Sequence, residues 1–327
     1  METEKRRPWR RWVVLALMIV GFIVGGYFFA PVQPEISVKA EKLFDIALPW
    51  GGSFTFVNTL PTLLLTILLL LWLAIATGRS LRKSLNTDLV PRGIGNLMEA
   101  FLELLYNLTE GSAGQKWAPL IFPWFATIMI YVLFANLLKL IPGFESVGFL
   151  QQVAQGAQGH PHLGVILQAG SIPNGDILVP FFRGISVDLN FTVSLALIAV
   201  IMIQVVGFRV QGFGYLSKFF NFTTMFKVPF FGAMDFLVGL LELISEFSKI
   251  LSFAFRLFGN MFAGIVLVAI VAGLLGKFSI LPSMIMMFEL FVGVIQAFVF
   301  GMLTMVFMAQ ATQGHAHEEA HEEVHEI

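Results

Sequence analysis

The sequence predicts an all-α polytopic membrane protein with about six transmembrane helices, and three features support this fold class. Of its 327 residues, 57% are hydrophobic and only 13% are charged, whereas a soluble domain carries about a quarter charged residues. The mean hydropathy is +0.82. The apolar residues also collect in runs near the roughly 20 residues that a membrane-spanning helix needs. The composition therefore excludes an ordinary soluble enzyme and a disordered protein.

Six apolar runs are long enough to be predicted as membrane-spanning helices. In chain order they are Trp12–Ala30, Ser53–Thr77, Trp117–Ile141, Leu189–Phe208, Gly232–Gly276 and Ile280–Gln310. The first follows the basic run KRRPWRR, which is typical of a retained anchor or of a cleaved signal peptide. The poor small-x-small pattern before Pro31 favours the anchor. We therefore divide the chain into an anchor (residues 1–35), a membrane domain (36–311) and a His/Glu-rich tail (312–327).

The fifth run is about twice the length of a single span. No proline interrupts the chain between Pro229 and Pro282, and forty or so helical residues would reach about 60 Å. Because the flanking basic residues fit one crossing, we expect one long, tilted helix. Together with the sixth run it would form a long C-terminal helical hairpin.

Two amphipathic stretches are predicted as helices that lie on the membrane surface or pack on partner proteins. Pro91–Glu110 has one apolar stripe, formed by Ile94, Leu97, Phe101, Leu104, Leu105 and Leu108, and Glu99, Glu103 and Glu110 lie opposite it. Glu35–Ile46 is a shorter and weaker case.

Basic residues indicate the orientation, because cytoplasmic loops carry an excess of Lys and Arg. The N-terminus, the end of the second run and the segment after the fourth run are all basic, whereas Pro142–Val187 contains only Arg183. We expect both chain ends in the cytoplasm and Pro142–Val187 outside, in a multi-pass protein of the cell (inner) membrane.

The charge and cysteine counts exclude several kinds of site. The net charge of −1 does not fit a nucleic-acid binder, which needs an excess of cations. The absence of Cys excludes disulfides, thiolate zinc sites and cysteine nucleophiles. No Gly-rich phosphate loop occurs, so nucleotide chemistry would belong to partners and no cofactor is predicted. His317, His321 and His325 could share a helical face for a metal, but we interpret the tail as solvated and predict no metal site; His160 and His162 are similarly ambiguous.

Charges are rare in the last two runs, and their positions suggest an ion path. From Ile250 to Gly314 the only charged residues are Arg256, Lys277 and Glu289. Lys277 follows Gly276 and fits a turn between helices. Arg256 and Glu289 lie deep inside apolar runs, where a charge is costly and usually faces a cavity or a partner.

The polar residues of the fifth run fall in a stripe about 80° wide at about 100° per residue. They are Asp235, Glu242, Glu246, Lys249, Arg256 and Asn260. Such a stripe would face water or a polar partner. The alternative is a buried network with Glu242, Glu246 and Lys249 paired at helical spacing. Because Arg256 has no acid three or four residues away, its partner must come from elsewhere.

A second, weaker stripe lies in the sixth run. Glu289 and Gln296 are seven residues apart and share a helical face with Gly293, where a glycine would admit a neighbouring backbone. A buried glutamate can exchange protons near neutrality, as a proton relay requires. The alternative is a glutamate that is hydrogen-bonded inside a helix pair.

Four strings of the sequence resemble segments of subunit a of the F-type ATP synthases, in its bacterial and organellar form. The most specific is FRLFGNMFAG, Phe255–Gly264. LELISEFSK lies before it, IQAFVFGMLTMVF resembles the family's final helix, and DLNFT (Asp188–Thr192) resembles the start of the preceding span. The resemblance covers roughly Ser53–Ala311.

The resemblance implies roles for individual residues. Arg256 matches the family's essential arginine, which faces the ion-carrying carboxylate of the rotating c-ring. Asn260 and Gln296 match polar residues close to that arginine. Glu242 matches an acid that lines a half-channel, and Glu289 matches a His-or-acid position on the same aqueous path. Glu246, Lys249 and Asp188 are secondary candidates.

The chain departs from one well-known bacterial pattern in two places. Ile265 stands where that pattern has an acid, and Glu289 stands where it has a histidine, so we expect Glu289 to serve the path alone. Ile250 follows Lys249 where a proline is common.

The implied function is that of the proton-translocating stator subunit, which is not an enzyme on its own. It would offer two half-channels to the c-ring, contact the peripheral-stalk b subunits and couple proton flow to ATP synthesis. Three alternatives remain open: sodium coupling, a ring-independent channel or transporter that conducts without the ring, and a scaffold in which Arg256 tolerates Lys or Gln.

Overall fold

Five long helices dominate the described part of the chain in a computed structural model. They are α1 (Thr59–Leu85), α2 (Ile94–Leu138), α3 (Leu189–Gln211), α4 (Pro229–Leu275) and α5 (Leu281–Thr312). The structure describes residues 9, 12–17, 19–20, 39–47, 49, 51–85, 93–141, 143–145, 147–152, 158–159, 162–163, 166–167, 172–173, 175–219, 229–275 and 281–313.

Each of the five helices is long and apolar enough to cross a membrane, which confirms the predicted polytopic helical class. The count of six is not confirmed, because most of the predicted first span lies outside the described residues. Its described part, including Trp12–Leu17, is helical. The other predicted spans correspond to α1 to α5 with shifted ends.

The chain divides into two compact units, each described here by itself. The first comprises Met1–Asn58, Pro142–Phe182 and Phe262–Glu289. The second comprises Thr59–Ile141, Arg183–Met261 and Leu290–Ile327.

An antiparallel hairpin in the first unit corrects two predictions. Strands β1 (Lys42–Ala47) and β2 (Ser53–Val57) pair, so the described part of Glu35–Ile46 is not a surface helix and the second span does not begin at Ser53. The alternation of Phe44, Asp45 and Ile46 has the period of two that strands require. The turn contains Gly51 at φ 84°, a conformation that costs glycine little.

The segment Pro142–Val187 contains further short strands, for which no secondary structure was predicted. β3 (Gly148–Gln152) pairs antiparallel with β8 (Asp176–Pro180). Between them lie four two-residue strands, with the first paired to the last and the inner two paired to each other: β4 (Gln158–Gly159), β5 (His162–Leu163), β6 (Ile166–Leu167) and β7 (Ile172–Pro173).

Helix α2 contains both the predicted surface helix and the predicted third span, joined end to end. The backbone between them is non-helical at Gly114, with φ 74° and ψ 162°. Only glycine adopts this conformation readily, so Gly114 is where the chain can change direction between the two segments.

Helix α4 is one continuous helix of 47 residues, as predicted, and has a contour length of about 70 Å. Its tilt in a bilayer stays a prediction. In the second unit its buried residues include Phe253 and Leu257, and the Phe253 ring packs 5.0 Å from that of Phe300 on α5. A Cβ on Gly301 would lie 2.8 Å from the Cβ of Met129 on α2, so this glycine allows α2 and α5 to approach closely.

Candidate functional site

Arg256 lies on α4 with a half-buried side chain. Its Nη2 donates a long hydrogen bond of 3.4 Å to Oγ of Ser252, one turn earlier. Within the described part of the chain, no carboxylate forms an ion pair with Arg256. The guanidinium is therefore available to a partner from outside these residues. This agrees with the sequence, in which no acid lies three or four residues from Arg256.

The surface of α4 around Arg256 is open. Phe255 is 54% exposed, and the small residues Ser252 and Gly259 are exposed on either side of it. Small residues let a second helix approach a backbone closely. This face therefore presents a fixed cation between two small residues that a neighbouring helix could approach.

Asn260, one helical turn after Arg256, joins α4 to α5. Its Nδ2 donates a 2.7 Å hydrogen bond to Oε1 of Gln296. Gln296 is buried, and its Nε2 has no hydrogen-bond partner among the described residues. The structure thus brings together two residues, 36 positions apart, that the family resemblance implied to lie near Arg256.

Glu246 and Lys249 form the ion pair that the helical spacing allows. The Lys249 Nζ lies 2.8 Å from Glu246 Oε1 and 4.8 Å from the centre of the Phe307 ring on α5. Glu246 is buried, and Lys249 and Glu242 are half-buried. For Glu246 and Lys249 the structure agrees with the alternative of a buried pair. The side chain of Asp235, the first member of the predicted stripe, lies outside the described ones.

Tyr215 was missed by the sequence analysis and lies within electrostatic range of two of these acids. It belongs to a 3-10 helix, Gly212–Lys218, that follows α3. Its hydroxyl donates a 2.7 Å hydrogen bond to Oε1 of Gln204, and it is close enough to Glu246 and Glu242 to interact electrostatically. No sequence signal indicated Tyr215, because the contact depends on how this turn folds back on α3.

Glu289 on α5 is 6% exposed and packs in the first unit against Gly264 of α4. A Cβ on Gly264 would overlap the carboxylate of Glu289. Gly264 is the last residue of the string FRLFGNMFAG, and its lack of a side chain leaves room for Glu289. Gln296, which shares the predicted face with Glu289, is also buried.

A buried polar cluster around Asn136 in the second unit was also missed. Asn136 of α2 is fully buried, and its Nδ2 donates to the backbone oxygen of Gly293 on α5 at 3.0 Å. Its Oδ1 accepts a 2.6 Å hydrogen bond from Ser186 Oγ. Gly293 was expected to allow the close approach of a neighbouring backbone. In the structure the group that packs against it is the Asn136 side chain. The available signal was a lone amide inside the apolar run Trp117–Ile141.

Asp188 has a capping role. Its Oδ1 accepts from the backbone N–H of Asn190 at 2.9 Å, which caps the N-terminus of α3. Its Oδ2 accepts from the Thr59 hydroxyl at 2.9 Å, at the start of α1. Both oxygens thus hold helix ends, an arrangement that explains Asp188 without an ion path.

Several predicted features cannot be placed. Lys277, His160 and the tail that carries His317, His321 and His325 lie outside the described residues. His162 belongs to β5, but its side chain is not among those described.

Comparison with known proteins adds an independent observation. The family model "ATP synthase A chain" matches residues 60–309. The chain is 31% identical over 288 residues to ATP synthase subunit a of Desulfotalea psychrophila, covering 86% of this chain and 97% of that protein. It is 28% identical over 278 residues to ATP synthase subunit a of Helicobacter pylori, covering 84% and 99%. The match to the Campylobacter jejuni protein of the same name is 30% over 237 residues, covering 70% and 83%.

Proposed function

The chain belongs to the ATP synthase A chain family, and from this membership and the site geometry we propose that it is the stator subunit through which protons reach and leave a rotating c-ring. At the coarser level it is a multi-pass membrane component of the F-type ATP synthase. The half-channels, the coupling to the ring and the choice of ion are parts of the proposal.

The observation that carries the proposal is the charge of Arg256, which lies on an open face of α4 and has no ion-pair partner among the described residues. Its only hydrogen bond among the described residues is the long one to Ser252, so the guanidinium is available to a carboxylate on another chain. Opposite charges attract strongly where water is excluded, and a guanidinium stays charged at any relevant pH. Arg256 would attract each ionised ring carboxylate and prevent ions from passing directly between the half-channels.

Asn260 and Gln296 support the same face. Because Asn260 donates to Gln296, α4 and α5 are tied together one turn from the arginine. A stator must resist the lateral force of a turning ring, and a direct hydrogen bond between the two helices holds the face that the ring would contact.

We place Glu242 and Glu289 along an aqueous path for protons. Glu242 is half-buried and lies near Tyr215, and Glu289 is buried against Gly264. A carboxylate can take up and release a proton without a large movement, as a relay requires. In this scheme Glu246 and Lys249 hold each other in place instead of carrying ions.

The proposal also covers the cellular setting. The protein would lie in the cell membrane with both ends in the cytoplasm, as its basic clusters predict, and would contact the peripheral-stalk b subunits. The division into an anchor (1–35), a membrane domain (36–311) and a tail (312–327) also stays a prediction.

A cross-linking experiment tests the proposed contact. The chain has no Cys, so Phe255→Cys creates one site for a photoactivatable label beside Arg256. Leu68→Cys is the comparison variant. Leu68 lies on the outer side of α1 with Leu64, and the two are 54% and 58% exposed. In assembled ATP synthase whose other cysteines have been replaced, the label at position 255 should form a product with the c subunit.

The outcomes distinguish the candidate functions. Absence of a c-subunit product from position 255 in an intact complex would overturn the proposal. Ion flux through vesicles that contain this chain alone would favour the independent channel. ATP-driven pumping that requires added sodium would change the ion but keep the stator role.

A further inference from the structure

The β1–β2 hairpin has one apolar and one polar face. In its register Phe44 lies opposite Phe56 and Ile46 lies opposite Phe54, and the rings of Phe44 and Phe56 stack at 4.7 Å. Because successive side chains of a strand point to opposite faces, these four side chains share one face. The other face carries Asp45 opposite Thr55, and Ala47 opposite Ser53.

The apolar face is largely uncovered by the described residues. Phe44 is 52% exposed, Ile46 46% and Phe54 47%. A two-stranded hairpin is at best marginally stable by itself in water and needs its apolar face packed on something. A contiguous patch of this kind marks a contact with a partner or with a membrane.

The chain connection keeps the hairpin at the end of a membrane-spanning helix. β2 ends at Val57, and α1 begins at Thr59, the first residue of a span. Phe54 and Thr59 are five positions apart, and a fully extended chain covers at most about 18 Å over that distance. The base of the hairpin is closed there, because Asn58 N–H donates to the Glu41 backbone oxygen at 3.0 Å.

We infer that this hairpin is a membrane-surface element whose partner is the phospholipid bilayer. It lies flat at the leaflet where α1 begins, with Phe44, Ile46, Phe54 and Phe56 directed into the boundary between headgroups and acyl chains. The inference needs only that α1 spans a membrane, and it does not depend on the proposed function.

The hydrogen bonding and the charges of the hairpin both agree with a position at the boundary between headgroups and acyl chains. The outer edges of a two-stranded sheet carry unpaired backbone groups, which are tolerated among hydrated headgroups but not in the hydrocarbon core. Lys42, at the start of β1, is exposed, so its amine can extend to a lipid phosphate while its methylene groups cover apolar surface. Asp45 and Thr55 then face water.

Spin labelling tests the inference in the assembled complex. Because the chain has no Cys, Phe54→Cys and Ile46→Cys place a label on the apolar face, and Thr55→Cys and Asp45→Cys are matched controls on the polar face. ATP synthase with the other subunits' cysteines replaced is reconstituted into vesicles of phosphatidylethanolamine and phosphatidylglycerol. Collisions with oxygen, which concentrates in lipid, are compared with collisions with a water-soluble nickel chelate.

The bilayer contact predicts opposite results for the two faces. Labels at positions 54 and 46 should collide more often with oxygen than with the chelate, and labels at 55 and 45 should show the reverse. Equal chelate accessibility on both faces would overturn the inference in favour of a solvated hairpin. Labels at 54 and 46 that are immobilised and shielded from both reagents would overturn it in favour of a protein partner. The two apolar positions are independent, and ATP-driven pumping shows which variants assemble.

Discussion

Nδ2 of Asn260 donates a 2.7 Å hydrogen bond to the buried Oε1 of Gln296, which ties α4 to α5 one turn beyond Arg256. Two neutral amides linked in this way hold their helices without adding a charge that would compete for Arg256. This arrangement suits a site in which Arg256 must stay available to another chain.

The Asn260–Gln296 bond should contribute to pumping as a pair. Because a neutral hydrogen bond is worth about 1 kcal/mol, we expect Asn260→Ala or Gln296→Ala to slow ATP-driven proton pumping about fivefold. The double variant should be no slower than the slower single one. Thr304→Ala, which removes a hydroxyl bonded within α5, is the control. If the double variant slows pumping by the product of the two single effects, the two amides act separately.

Glu246 and Lys249 should depend on each other for stability. Removing one member of a buried ion pair leaves the other uncompensated, at a cost of about 3 kcal/mol. Lys249→Met should therefore reduce the amount of subunit in the membrane, and Glu246→Gln together with Lys249→Met should restore much of it. Immunoblotting of membranes, with pumping normalised to the amount of complex, measures both quantities. If the double variant is depleted as strongly as Lys249→Met, the pair is not what stabilises this region.

Gly264→Ala should displace the carboxylate of Glu289. The added methyl group would overlap the end of that flexible side chain, so we expect assembly to survive and pumping to fall, as it should in Glu289→Gln. Gly78→Ala is a matched control because a Cβ there meets nothing within 4 Å. Normal pumping by both Gly264→Ala and Glu289→Gln would remove Glu289 from the proton path.

Asp188 should support assembly by stabilising the N-termini of α3 and α1. Asp188→Ala removes an N-cap whose loss costs about 1 kcal/mol, and it also removes the acceptor for Thr59. We expect less assembled complex but a normal rate per complex. Asp188→Asn keeps a capping oxygen and should behave almost like the unsubstituted chain. A fully assembled Asp188→Asn complex that does not pump would instead assign Asp188 to the ion path.

Long helices could be predicted from the sequence because their apolar runs leave few alternatives. The apolar run predicted that α4, which has 47 residues, is one helix. The helical period predicted that Glu246 and Lys249 lie close together. The β1–β2 hairpin was misread because five or six alternating residues are compatible with a short amphipathic helix until their partner strand is known. The change of direction at Gly114 depends on one left-handed glycine, and glycines are common in this chain.

Contacts between distant segments could not be predicted from the residues alone. Asn136 and Gly293 are 157 positions apart, and nothing in either segment specifies the other. The resemblance implied that Asn260 and Gln296 each lie near the arginine, but the hydrogen bond between them was not predicted. Tyr215 was missed because its place beside Glu246 follows from the 3-10 helix after α3. These contacts are set by tertiary packing, which cannot be predicted from the spacing of residues within one segment.

The role of Arg256 is tested by ATP-driven proton pumping by an assembled Arg256→Ala complex in inverted membrane vesicles. Arg209→Ala, which removes an exposed arginine in the last turn of α3, controls for the loss of a positive charge. Because the fixed charge of Arg256 would attract the ring carboxylate and separate the half-channels, the account predicts no pumping by Arg256→Ala and normal pumping by Arg209→Ala. Normal coupled pumping by Arg256→Ala would contradict it.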